Sequence, residues 1–322
     1  MSYSSQWSAV QGAAVMILLR LFRFFCADAP YSAAHAKGMA LAAAMQCVLL
    51  LPLLHCRGRL QLPRAALWIL RIYAIFYAAV LTGALFSLCV QMRLRRDAAA
   101  VLLALTLLYT VPLHDRATAR TATLLLCAAA GGFLLLPVSG IGTAQRILLH
   151  TPDSAPAAFF REWQAAGELP LLPLIWQKQT AQGAARSTAA WALFRCIFLP
   201  ALVLFGAMQN GRLLQFAGNP FFLLLARTPL SDAVRTDGFW LLLAFSAGAL
   251  CMTFCLQTGK PHLPQPARAA AASLLPYLFA LAVLCLCPPD AALSGLMTML
   301  CGILLPWCIV AYHALQGRRN AA

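Results

Sequence analysis

Charge is what this chain has least of. Only 10% of its 322 residues are Asp, Glu, Lys or Arg, where a soluble domain carries about 25%. Acids are scarcest, nine against 24 Lys and Arg, which leaves a net charge of +15. The six histidines are scattered and form no cluster. Most of the twelve cysteines sit inside apolar runs, where a thiol acts as a small hydrophobe. Cys251 and Cys255 are four residues apart and Cys285 and Cys287 two apart, but neither pair has a histidine near enough to complete a zinc set. No glycine-rich phosphate loop and no nucleophile elbow occur. The chain therefore offers no motif for an enzyme: we expect no catalytic residue, no metal and no cofactor.

What is present is apolar surface. Hydrophobic residues make up 62% of the chain and the mean hydropathy is +0.77. That composition predicts an all-α polytopic membrane protein, a single integral membrane domain over residues 1–322. The basic residues spread over nearly every loop, which fits membrane orientation and anionic lipid rather than nucleic acid. Met1–Ser8 has no basic residue before the first apolar run, so that run is expected to be a true span rather than a cleaved signal.

Nine spans are expected: Ala9–Pro30, then about Gly38–His55, Leu67–Met92, Ala98–Leu113, Thr121–Val138, Thr188–Met208, Phe239–Gln257, Ala269–Cys287 and Leu293–Leu315. Ala155–Gln177 is a doubtful tenth, half apolar and interrupted by Gly167 and Pro170. It reads either as a loop with an interfacial helix or as a broken span lining a cavity, since irregular backbone survives at membrane depth only where protein or water surrounds it. Asn219–Pro229 is too short to span. Ten spans would place both ends in the cytoplasm and divide into a first repeat of about 7–140 and a second of about 150–316. The first member of each set, Ala9–Pro30 and Ala155–Gln177, would be the broken one. Paired discontinuous helices of that kind mark inverted-repeat transporter folds.

Within these runs a few charges demand explanation. Arg20 and Arg23 lie inside the first apolar segment, where arginine costs at least about 2.5–3.5 kcal/mol. Their spacing puts both guanidinia on one helix face, so they either meet something anionic in a cavity, snorkel, or pair with Glu162 or Glu168. Glu168 sits between Gly167 and Pro170, where a helix should break, and reads as an ammonium partner, a proton carrier or a solvated loop acid. Tyr73 and Tyr77 share a face of the third span and line a pocket or pack. Asp237 is expected to cap the helix that begins near Phe239, and Gly131-Gly132 to permit close helix contact.

Several stretches resemble the endospore-germination amino-acid permease family, the B subunits of spore nutrient receptors. They are Gln11–Pro30; Lys37–Pro52 (KGMALAAAMQCVLLLP); Phe159–Trp176 (FFREWQAAGELPLLPLIW); Pro220–Trp240 with Asp237 shortly before its end; and Leu304-Leu305-Pro306 before a basic tail. The resemblance implies about ten transmembrane helices in a five-plus-five inverted repeat of the amino acid–polyamine–organocation (LeuT-like) type. It also implies a small amino acid or similar nutrient bound in a transporter-like pocket, beside a larger A subunit and a lipoprotein C subunit. The location would be the spore inner membrane or a bacterial cell membrane. On this reading Arg20, Arg23, Tyr73, Tyr77, Glu162 and Glu168 are the ligand-site candidates. A proton-coupled amino-acid transporter and a structural subunit without a ligand are the alternatives. The sequence departs from better-known members where their first helix often carries a glycine: here the matching region is arginine-rich and aromatic.

Overall fold

The computed structural model describes residues 6–27, 31–55, 63–140, 154–210, 219–227, 237–260, 266–286 and 291–311. Among them helix dominates, and the one extended contact is an isolated parallel bridge from Trp7 to Gln179. The order is α1 (Ala9–Phe25), α2 (Ala33–His55), α3 (Arg64–Gln91), α4 (Arg96–Thr110), α5 (Asp115–Gly140), α6 (Ala155–Gln164), a 3-10 turn (Leu169–Leu171) and α7 (Leu172–Gln177). There follow α8 (Ala181–Leu193), a π turn (Phe194–Phe198), α9 (Leu199–Asn210), α10 (Pro220–Arg227), α11 (Asp237–Gly259), α12 (Pro266–Leu286), α13 (Ala291–Met299) and a second π turn (Leu300–Leu304). Helix resumes over 305–311.

Among the described residues, six helical stretches are long and apolar enough to cross a membrane: Ala33–Leu54, Arg64–Gln91, Asp115–Leu134, Ala181–Gln209, Gly238–Gly259 and Arg268–Leu286. The chain is a membrane-embedded helical protein on that ground. The other expected spans are shorter or interrupted. α1 has 17 residues and α4 has 15, the last is the shorter apolar helix Gly295–Ala311, and 155–177 is broken. The short piece expected at Asn219–Pro229 is α10, only 8 residues long.

α1 is the centre of the packing. Ser8 opens it with a reciprocal cap: the Ser8 hydroxyl accepts from Gln11 N at 3.2 Å while Ser8 N donates to the Gln11 side chain at 3.0 Å. From Gly12 to Phe25 every residue but Arg23 is buried, as a helix apolar on all sides must be. It packs on α5, α8 and α11. The helix ends at Phe25, ahead of the expected break at Ala27–Pro30, whose residues 28–30 lie outside the described residues. Asn219 closes the far end. Its amide donates to Phe25 O at 2.8 Å and to Gln91 Oε1 at 3.2 Å, while its own oxygen accepts from Phe222 N at 3.2 Å. One side chain thus joins the ends of α1 and α3 and starts α10.

At the opposite end of α1, Trp7 N donates to Lys178 O at 2.7 Å. Lys178 pairs with Asp115 at 2.6 Å and lies over the Trp7 ring at 5.0 Å. Close by, Gln257 donates to the carbonyls of Thr110 and Leu113 and accepts from Thr118, tying the α4–α5 turn to the end of α11. Burial pushes the Lys260 ammonium below the usual lysine range, with Asp115 pulling the other way.

Two residues past the end of α3, Arg93 has a φ of 57°. Leu94 N donates to Cys89 O at 2.8 Å and Arg93 N to Val90 O at 3.0 Å, the pair of bonds that normally goes with glycine in this position. Arg93→Gly should therefore raise the unfolding midpoint, by up to about 1 kcal/mol of stability; a lowered midpoint would mean the arginine side chain holds something at this turn.

The expectation for Gly131-Gly132 divides. A Cβ at Gly132 would stand 2.8 Å from the Trp240 ring, so α5 and α11 do pack closely there, whereas nothing lies within 4 Å at Gly131, which is exposed. Helix α11 does begin at Asp237, but the Asp237 side chain lies outside the described residues and no cap is assigned to it.

Candidate functional site: a buried charge cluster at a helix break

The polar middle segment resolves into α6, a break at 165–168, the 3-10 turn and α7. The segment is broken, as Gly167 and Pro170 suggested, and its irregular backbone is enclosed by protein: Ala166 through Trp176 are all buried. Every carbonyl in the break has a donor. Arg20 Nη1 donates to Ala165 O at 3.0 Å, Leu169 N to Ala166 O at 3.1 Å, the Tyr73 hydroxyl to Gly167 O at 2.8 Å and Leu171 N to Glu168 O at 3.0 Å. A break this deep is tolerated because its orphan groups are satisfied within the protein.

Glycine at 167 is required by space. A Cβ there would run into the ring of Tyr77. Tyr73 and Tyr77 do share a face, as their spacing predicts: their rings stack at 5.9 Å and 14° and cover Gly167. Both π turns border the segment. The one at Leu300–Leu304 lays Gly302 against Leu169 and Pro170, and the one at Phe194–Phe198 carries Arg195. Wide turns of this kind recur at functional sites.

Four charges converge here. Glu162 on α6 accepts from Arg20 Nη2 and, at 3.3 Å, from Arg195 Nη2, both through Oε1. Arg195 Nε lies 3.6 Å from Glu168 Oε1, an ionic contact longer than a hydrogen bond. Arg195 and Glu168 have no exposed surface, and Arg20 and Glu162 almost none. The Arg195 guanidinium stacks over Trp191 with 4.8 Å to the ring centre, which fixes its plane. Two cations and two anions make a cluster of zero net charge.

Its members are unequally satisfied. Arg20 spends both terminal nitrogens, one on Glu162 and one on the carbonyl that ends α6. Arg20 Nε, both Glu168 oxygens, Arg195 Nη1 and Nε, the Tyr77 hydroxyl and Trp191 Nε1 have no hydrogen-bond partner among the described residues. Buried polar atoms without partners are costly and uncommon, and half of those found among the described residues belong to this cluster and the two aromatic side chains beside it.

Of the six candidates from sequence, the structure brings together Arg20, Glu162, Glu168, Tyr73 and Tyr77. Arg23 is half-buried and forms no ion pair among the described residues, but its charge lies near enough to act on Tyr77. Arg20 follows the pairing alternative, since its terminal nitrogens are committed to Glu162 and Ala165. Arg195 and Trp191 were not among the candidates. The signal for Arg195 was its charge inside an otherwise apolar span; nothing in the sequence said which neighbour it faces. Among the described residues no group of three or more His, Cys, Asp or Glu is arranged to hold a metal ion. The chain matches no protein-family model, no curated protein and no solved structure.

Proposed function

We propose that this chain is the membrane subunit of a nutrient receptor of the spore-germination permease kind, which binds a small amino acid or similar nutrient at the break in 155–177. The observation that carries this reading is the incompletely satisfied buried cluster around Glu168, Arg195, Tyr77 and Trp191, at a broken segment deep among apolar helices. Ionisable residues inside a membrane-embedded bundle are rare and costly, which makes them a functional-site hypothesis by default.

The ten-helix inverted repeat belongs to the same proposal. Trp7 at the start of α1 meets Lys178 at the end of the broken segment, while Arg20 further along α1 meets Glu162 further back. The first members of the two sets thus run antiparallel, which supports an inverted relation between them. Larger A and lipoprotein C subunits would complete the receptor, in the spore inner membrane or a bacterial cell membrane, and ligand binding would bias the complex toward triggering germination.

One observation favours a second reading, a structural subunit without a ligand: both terminal nitrogens of Arg20 are spent, one on Glu162 and one on the carbonyl that ends α6. Proton-coupled transport is the third. Reconstitution of the purified chain in vesicles with labelled amino acids separates them. The receptor reading expects saturable binding without net uptake. Uptake driven by a proton gradient would make the chain a transporter, and assembly with partner subunits without any binding would make it structural.

A further inference from the structure

Where α1 and α5 begin and α4, α7 and α11 end, charges and hydrogen-bonding groups do not balance. Lys178, just past α7, pairs with Asp115 at 2.6 Å, and His114 Nδ1 lies 3.0 Å from the other oxygen of the same carboxylate. Lys260, just past α11, donates to Val111 O at 3.2 Å. Asp115 is the one acid among the described residues whose charge acts on it. Two ammonium groups, each with three protons to donate, thus share one carboxylate. Beside them Trp7, only 2% exposed, has no acceptor for its indole N–H. Its ring lies 5.0 Å from the Lys178 ammonium and 5.9 Å from the Phe254 ring. Gln257 is already engaged: its oxygen accepts from Thr118 and its nitrogen donates to the carbonyls of Thr110 and Leu113.

We infer that this end of the bundle binds a phosphate-bearing anion, held by the Lys260 and Lys178 ammonium groups with the Trp7 indole N–H as a further donor. Spare donors call for acceptors, and a surplus positive charge in a half-buried place calls for an anion. A neutral ligand would meet the first need alone, and a cation neither. Phosphate meets both, because its oxygens accept from donors that approach from different helices. Asp115 holds Lys178 in position without cancelling Lys260. Two sources carry this chemistry, a lipid headgroup and free phosphate. The location favours the lipid: Asp115 starts one membrane-length stretch and Lys260 follows the end of another, and span ends are where Trp meets the headgroups and Lys meets anionic lipid. The site lies apart from the break in 155–177 and stands independently of the ligand reading there.

The test titrates the full-length detergent-purified chain with single lipids and reads retention by native mass spectrometry. The probes are phosphatidylglycerol and phosphatidylcholine of the same chain length, with inorganic phosphate as competitor. Phosphatidylglycerol should bind about tenfold more tightly than phosphatidylcholine, and Lys260→Met should lower its affinity about tenfold, the loss of a charge-assisted hydrogen bond. Arg268→Met removes an equal charge from the exposed start of α12 and should change affinity less than about twofold, since an exposed charge is screened. Trp7→Phe keeps the ring beside Lys178, removes only the N–H, and should weaken binding about fivefold; it decides the matter should Lys260→Met fail to fold. Phosphatidylglycerol retained against millimolar phosphate assigns the site to lipid, and displacement by phosphate assigns it to the free anion; both support the inference. Equal retention of the two lipids would overturn it, as would unchanged affinity in folded Lys260→Met and Trp7→Phe. A loss in Arg268→Met as large as that in Lys260→Met would also overturn it, leaving only the general attraction of a basic protein for anionic lipid.

Discussion

Glu162→Leu should abolish the folded chain, and adding Arg20→Leu to it should restore part of what was lost. Removing one member of a buried ion pair costs about 3–5 kcal/mol, because the other is left charged and unpaired. Glu162 is the shared acceptor of two arginines, so its loss strands both Arg20 and the Nη2 end of Arg195. Arg20→Leu alone is milder, because Glu162 keeps Arg195. In the double variant the stranded Arg20 is gone and Arg195 still faces Glu168 at 3.6 Å, so the charges again balance. The two substitutions should therefore be coupled by about 0.5–3 kcal/mol, in the sense that the second repairs the first. Thermal denaturation followed by size-exclusion chromatography of the fluorescently tagged chain reads this directly. A double variant less stable than Glu162→Leu would mean that Arg20 contributes mainly by packing.

The second large effect is expected at Gly38. A Cβ there would lie 2.6 Å from Phe159 N, 2.7 Å from Ala158 Cβ and 2.8 Å from Ala155 O. These neighbours are mostly backbone of the first turns of α6, which cannot swing aside, so Gly38→Val must push α2 off α6. Overpacking of this kind costs about 1–3 kcal/mol and occasionally more, and here the displaced helix carries Glu162. The control is Gly131→Ala, where nothing lies within 4 Å and where alanine should be neutral or gain about 0.5–1 kcal/mol. Equal melting of Gly38→Val and wild type would mean that α2 and α6 are not in the contact described.

Much of the site was legible because charge in an apolar chain is so constrained. Arg20 needed an acid, and few acids lie near apolar sequence, so Glu162 and Glu168 were natural partners. Gly167 and Pro170 marked the break, and the four-residue spacing of Tyr73 and Tyr77 placed both rings on the face that covers it. What spacing could not supply is which way an isolated charge points once helices pack. Arg20 and Arg23 share a helix face by periodicity, yet only Arg20 is buried against α6, because burial depends on what stands opposite. Arg195 enters through a π turn, which shifts side-chain direction relative to a regular helix and leaves no pattern in composition. The bridging role of Asn219 is likewise tertiary: its partners Phe25 and Gln91 are far away in the chain. The helix count was blurred for a related reason, since a central helix such as α1 is apolar all round because protein surrounds it, and apolarity alone does not separate that case from contact with lipid.

The measurement that bears most directly on the central claim, a ligand site at the break, is thermal unfolding of the purified chain against a panel of amino acids. Wild type would be run beside Glu168→Gln and Arg20→Met. A ligand that binds only the folded state raises the midpoint in step with ln(1 + [L]/Kd). The account predicts that at least one amino acid raises the wild-type midpoint. It predicts no such rise in Glu168→Gln, while Arg20→Met melts lower than wild type but, where folded, still responds. A flat response of wild type to every amino acid, with the partner subunits present, would contradict it and leave the buried charges a purely structural clamp.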